Sequence, residues 1–198
     1  MKTLLFCFSI AIALACTSCK DADQTKDQAQ YRIQENTPTP KVSLKDRGKY
    51  LVNVLDCAAC HTPKLMTAQG PVPDMTRYMM GYDAAEALPP LPDDVPIGPW
   101  ALFKGDLTAA VGPWGTSYAG NITPDDTGIG TWTLEQFSNA IRKGMYKGIE
   151  NSRPLMPPMP TQAYQHLTDE DVQAIFTYLK SLKPIENVVP AYTPPAAM

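Results

Sequence analysis

Cys57-Ala58-Ala59-Cys60-His61 places two thiols three positions apart and an imidazole directly after the second. Covalent haem attachment requires that pattern: each sulfur adds across one vinyl group, and the adjacent ring turns onto the iron. Other chemistries of the same residues fit less well. A thioredoxin-like dithiol belongs beside a strand in a βαβ unit, whereas residues 44–56 read as a helix running into the motif. A structural zinc site needs two more ligands, and outside the motif only Cys7, Cys16, Cys19 and His166 remain, three of them at the extreme N-terminus. A Cys57–Cys60 disulfide would close a very small loop and leave His61 without a role.

Working outward, the spacing predicts three helices. The first begins at Ser43, with Asp46 answering it three residues later, and turns Leu44, Leu51, Val54 and Leu55 toward a core. Its Gly48 would let a second helix approach closely. The second starts at Thr133, takes Gln136 into a capping box, carries Leu134, Phe137 and Ile141, and stops at Gly144. The third starts at Thr168 with Asp171 and sets Val172, Ile175, Phe176 and Leu179 on one stripe before Pro184; the first helix is its natural partner. Between the first two helices lies a Pro- and Gly-rich stretch, residues 62–130, without strong periodicity. A haem would give irregular backbone of that length an apolar surface to wrap.

The N-terminus reads as an export signal at residues 1–15: a positive start at Lys2, an apolar run too short to span a bilayer, then polar residues. Ala13-Leu14-Ala15-Cys16 resembles a lipobox, which makes Cys16 the lipidation site and Cys19 its competitor. Export agrees with haem attachment, since c-type haem is attached outside the bacterial cytoplasmic membrane. Residues 16–41 are polar and form a tether whose typical reach is about 25 Å. Residues 42–183 fit one domain, and residues 184–198 make a Pro-rich tail. The chain has 17 Lys and Arg against 20 Asp and Glu, a net charge of −3, which gives no reason to expect nucleic-acid binding. There is no second C-x-x-C-H, so one haem c is expected.

Haem iron takes a sixth ligand unless the protein works on small molecules at an open site. Arg153-Pro154-Leu155-Met156-Pro157-Pro158-Met159-Pro160 stands out, because its prolines stiffen an extended loop able to present a thioether. Met156 and Met159 are both candidates. Met66, Met75, Met79, Met80 and Met145 read as packing residues, and His166 as a polar surface residue.

The order helix, C-x-x-C-H, irregular middle, methionine loop, C-terminal helix resembles a class I cytochrome c. Asn121-Ile122-Thr123-Pro124-Asp125, Thr127-Gly128-Ile129-Gly130-Thr131-Trp132-Thr133, Pro158-Met159-Pro160 and Leu167-Thr168-Asp169-Glu170-Asp171 resemble, more narrowly, the cytochrome subunits of bacterial membrane-associated dehydrogenases. The resemblance covers residues 43–182. It implies an all-α fold around one covalently bound haem, held by Cys57 and Cys60, with His61 and Met159 as the axial iron ligands. It also implies a proline carbonyl on the histidine Nδ1–H, for which Gly70-Pro71 is the best match and Pro63 and Pro73 are alternatives. The expected function is single-electron transfer, not enzyme catalysis, on the periplasmic side of a membrane. The expected donor is a dehydrogenase, and the expected acceptor an oxidase or another cytochrome. Such relatives often carry several haem domains in one chain, where this chain carries one. The competing class, a peroxidase-like haem enzyme or gas sensor with an open distal face, would need a distal His or Arg, and none stands out.

Overall fold

Ser43 begins the first helix through its side chain. In the computed structural model, which describes residues 42–91 and 98–195, Ser43 Oγ accepts the Asp46 N–H at 3.1 Å and donates to the Asp46 carboxylate at 2.6 Å. Helix α1 then runs over Leu44–Val54. Asp56 breaks it with a left-handed φ of 52°, a conformation Asp tolerates better than most residues. The chain restarts as the single turn α2, Ala58–His61. Helix α3 spans Leu134–Lys143, opened by the Thr133/Gln136 capping box and closed by Gly144 at φ 66°. A short α4, Thr161–Tyr164, leads to α5, Asp169–Lys180, capped by Thr168. Cys16, Cys19, the leader and the tether lie outside the described residues.

Helices α1 and α5 form the main packing unit. A Cβ at Gly48 would fall 1.9 Å from the Ala174 carbonyl oxygen and 2.8 Å from the Tyr178 Cβ, so the two backbones touch where Gly48 has no side chain. Around this crossing Leu51, Val52, Val172, Ala174, Ile175, Tyr178 and Leu179 are buried, and Phe137, Ile141 and Met79 complete the same core. Arg47 ties the helices at the surface through Asp171 at 2.9 Å. The buried stripe of α1 is therefore Gly48, Leu51 and Val52 with Leu55 half-buried. Leu44 and Val54, expected inside, are 36 % and 61 % exposed. Leu44 sits at the first helical position, a full turn short of the crossing. Val54 points about 110° away from the stripe at 100° per residue. Leu134 is likewise 38 % exposed at the start of α3.

The all-α expectation needs correcting in the middle of the chain, which among the described residues holds two small antiparallel sheets. Strands β1 (Lys64–Thr67) and β2 (Gly70–Pro73) form a hairpin with Thr67 opposite Gly70. Strands β3 (Leu102–Phe103), β4 (Ala109–Gly112) and β5 (Gly115–Tyr118) form a meander in that order. Neither sheet leaves an alternating sequence pattern. All four residues of β4 are buried, so it reads as a continuous small-residue run. Pro71 and Pro73 fill half of β2, and proline is allowed in a strand only where its missing N–H is not needed by a neighbour.

The chain beyond Lys183 continues along the domain. Ile185 O accepts from Asn121 Nδ2 at 2.8 Å, and the Asn187 amide donates to the Met80 and Tyr82 carbonyls at 2.7 and 2.8 Å. Thr193 then pairs with Thr116 of β5, each donating its N–H to the other's carbonyl, at 3.0 and 2.8 Å.

Candidate functional site

The turn α2, with Cys57 immediately before it, brings Cys57, Cys60 and His61 together because Asp56 breaks α1 one residue earlier. The amide of Cys57 still reaches back to Val52 O at 3.1 Å, and that of His61 bonds Cys57 O at 3.0 Å, so the turn is fixed at both ends. Lys64 closes its C-terminus, donating to the Ala59 and Thr62 carbonyls and, at 2.5 Å, to that of Asp106. A cation belongs there, where the free carbonyls of a helix end carry partial negative charge.

His61 Nδ1 lies 2.7 Å from the carbonyl oxygen of Gly120. A carbonyl only accepts, so Nδ1 carries the proton and Nε2 keeps its lone pair. Burial pushes the ring's pKa down, against the smaller upward pull of the Gly120 bond, and the imidazole is held neutral. Nε2 has no hydrogen-bond partner among the described residues, and no partnerless buried side-chain nitrogen occurs among them. Its lone pair is therefore not engaged by the protein and is available to a ligand. The expected Pro71 carbonyl has no part in this: Pro71 lies in β2, opposite Met66. Gly120 reaches the ring because residues 79–82 and 119–122 are stitched together, with Gly81 N donating to His61 O, Tyr82 N to Ala119 O and Ile122 N to Met79 O at 2.9–3.0 Å. Gly81, at φ 79°, leaves no room for a Cβ, which would sit 2.3 Å from Ala119 O.

Both cysteines are free and half-buried, so no disulfide joins them. Burial pushes the Cys57 thiol up to about 11, and raises that of Cys60 as well. A dithiol exchanger needs the opposite, a thiolate near neutral pH. Among the described residues no group of three or more His, Cys, Asp or Glu could hold a metal ion, which removes the zinc alternative there. Leu55, Ala58, Tyr78, Ile122, Trp132 and Met159 pack on the buried core yet stay half-covered, as does Cys57 itself. Two thiols, one neutral imidazole with its lone pair free and a fringe of half-covered apolar side chains are a donor set and a surface that fit a covalently attached haem.

Met159 belongs to that fringe; Met156 does not pack on the same core. The proline loop carrying both is pinned by Ser117 Oγ, which donates to Pro157 O at 2.6 Å, and by Leu155 N donating to Gly144 O at 2.6 Å. Met79 and Met80 are buried, as packing residues should be, but Met66 and Met75 are 71 % and 66 % exposed on and just after the β1–β2 hairpin and fill no core. His166 is exposed, as expected. The sequence gives no hint of Ser117, and only one of Gly120: it stands immediately before the Asn121-to-Asp125 motif. Asn121 explains that motif, since its side-chain oxygen accepts from the Thr123 N–H and hydroxyl at 2.9 and 2.8 Å.

The chain belongs to the cytochrome c family: the family's model, Cytochrome c, matches residues 45–183. That membership brings covalently bound haem c and electron transfer. Among similar proteins, the fructose dehydrogenase cytochrome subunit of Gluconobacter japonicus is 34 % identical over 80 % of this chain and 26 % of its own length. The gluconate 2-dehydrogenase cytochrome c subunit of Pantoea cypripedii is 34 % identical over 69 % of this chain and 22 % of its own. The cytochrome c subunit of the quinone alcohol dehydrogenase of Gluconobacter oxydans strain 621H is 31 % identical over 79 % and 26 %. The chain thus spans about a quarter of the length of these relatives. No helix among the described residues is long and apolar enough to cross a membrane.

Proposed function

We propose that this chain is a single-haem electron carrier that accepts electrons from an exported or membrane dehydrogenase and passes them to a respiratory acceptor, an oxidase or another cytochrome. Cys57 and Cys60 bind the haem covalently, and His61 and Met159 are the axial ligands. The observation that carries this reading is the His61 Nδ1–Gly120 carbonyl bond of 2.7 Å, which leaves Nε2 as the free donor directly after two thiols on one helical turn. When bound, the haem supplies a ferric/ferrous couple, and a His/Met pair favours the ferrous state and raises its potential. The protein's share is to hold both donors rigid and to cover the apolar ring, so that gaining an electron requires little rearrangement. The dehydrogenase partner rests on the relatives' names, each a cytochrome subunit of a dehydrogenase. Residues 1–15 are proposed as a cleaved signal, Cys16 as a lipidated anchor on the periplasmic side and residues 16–41 as its tether.

Attachment is tested by acid-acetone extraction of protein matured with a c-type haem assembly system. The haem should stay with the denatured chain and come away when Cys57 and Cys60 are both replaced by Ala. Extractable haem in the unaltered protein overturns the proposal, and a second variant, His61→Ala, should keep the haem attached while losing the low-spin ferric spectrum.

A further inference from the structure

We propose that the C-terminal strap, residues 185–193, positions the methionine loop and so sets how firmly the axial thioether is held. The inference rests on Met159 being that ligand. The loop, residues 153–160, contains four prolines, at 154, 157, 158 and 160, which lack backbone N–H groups. It is stiff within itself, yet few bonds fasten it to the domain. At its start Tyr146 N–H donates to Arg153 O at 3.0 Å and Leu155 N–H to Gly144 O, and at its end Ala163 and Tyr164 N–H bond Pro160 O. Between them, the stretch next to Met159 is held from β5, which the strap extends.

Ser117 of β5 donates to Pro157 O at 2.6 Å. The residue before it, Thr116, exchanges both backbone bonds with Thr193, so the strap adds one rung to the sheet that holds the loop. Gly115 allows the strap to lie flush: a Cβ there would meet Thr193 O at 2.2 Å. Tyr192 donates its hydroxyl to Trp114 O and turns its ring toward the Arg153 guanidinium at 5.2 Å, the same guanidinium that stacks on Tyr146 at 3.8 Å. Arg153 is the first residue of the loop. At its other end the strap is tied to the histidine side, where Asn121, the neighbour of Gly120, donates to Ile185 O at 2.8 Å. One short segment thus braces the supports of both axial side chains. Tyr192, Thr193 and Ser117 are positioning residues; none needs to touch the haem.

The test uses ferric holoprotein and titrates imidazole while following the methionine-to-iron charge-transfer band. A chain ending at Val189, which keeps Ile185 and Asn187 but lacks Tyr192 and Thr193, should bind imidazole roughly fivefold more tightly, the ratio that corresponds to losing about 1 kcal/mol of bracing. Tyr192→Leu and Ser117→Ala should each move the same way, with haem still covalently attached and the midpoint potential lowered. Tyr192→Phe keeps the ring over Arg153 and should recover most of the effect. Arg47→Ala, on the α1–α5 surface, should leave imidazole affinity unchanged, which separates loop positioning from general stability. If the shortened chain folds poorly, the point variants decide. Unaltered imidazole affinity in Tyr192→Leu and Ser117→Ala overturns the bracing role. Survival of the band in Met159→Ala would instead overturn the ligand assignment beneath it.

Discussion

An imidazole cannot donate to a metal until something decides which of its nitrogens keeps the proton, and at His61 a backbone carbonyl makes that decision. The motif itself was legible, because thiols and imidazole announce their chemistry by type and spacing. The Gly120 carbonyl was not, since every residue has one and only the fold says which is near. The same asymmetry separates the two methionines: the proline loop is visible in sequence, but the packing of Met159 on the core that holds Cys57 is not. Met159→Ala should therefore abolish the sulfur-to-ferric-iron band and lower the midpoint potential, while Met156→Ala leaves both in place. Reversed behaviour would move the ligand to Met156. Asp74 is a second residue whose surroundings set its chemistry. Bonds from the Thr76 hydroxyl, the Arg77 guanidinium and the Thr76 N–H hold its carboxyl down at about 2. A carboxylate depressed on folding stabilises the native state above its unfolded value of about 4, and that stability drains away as pH falls toward 2. Asp74→Asn should melt lower than the parent at pH 7 and lose less stability than the parent between pH 4 and pH 2. Parallel melting curves across that range would remove the role.

At the scale of elements, capping residues wrote the helix boundaries into the sequence: Ser43, Thr133 and Thr168 each accept the N–H three residues on. The inward faces were only partly legible, because α1 is centred on Gly48, and a glycine adds nothing to a hydrophobic pattern. The strands were illegible for the opposite reason. β4 is apolar on both faces and β2 is half proline, so period-two alternation never appears. The α1–α5 crossing gives the sharpest element-level prediction. Gly48→Ala forces a methyl into the Ala174 carbonyl at 1.9 Å, a backbone atom that cannot turn aside. Helix propensity favours Ala by up to about 1 kcal/mol, but overpacking costs about 1–3 kcal/mol or more, and a collision with backbone belongs at the upper end. The holoprotein should melt on the order of 5 °C lower. Thr168→Ala, which removes a cap without touching the crossing, should cost about 1 kcal/mol. A Gly48→Ala protein as stable as the parent would mean that the helices can slide apart without loss.

For the whole molecule, the proposed electron transfer with a membrane dehydrogenase is helped by anything that keeps the protein at the membrane surface. The lipid anchor proposed at Cys16 does so physically. One acyl chain holds a protein only marginally, but a lipidated N-terminal cysteine carries several, and their combined burial outlasts dilution. Attachment of that kind is indifferent to ionic strength, whereas attachment by charge is screened within about 10 Å at 0.1 M salt. A chain with a net charge of −3 has little to offer an anionic membrane surface in any case. The mature protein should therefore remain with membranes through a high-salt wash and leave with detergent. Cys16→Ser should release it into the periplasmic fraction or block its processing, while Cys19→Ser should do neither. Haem content and the charge-transfer band should be unchanged in Cys19→Ser, since the proposed ligands all lie within residues 57–159. The opposite pattern for the two cysteines would move the anchor to Cys19. Recovery of the unaltered protein in the soluble periplasmic fraction would leave residues 16–41 without a tethering role and make the carrier a diffusing one.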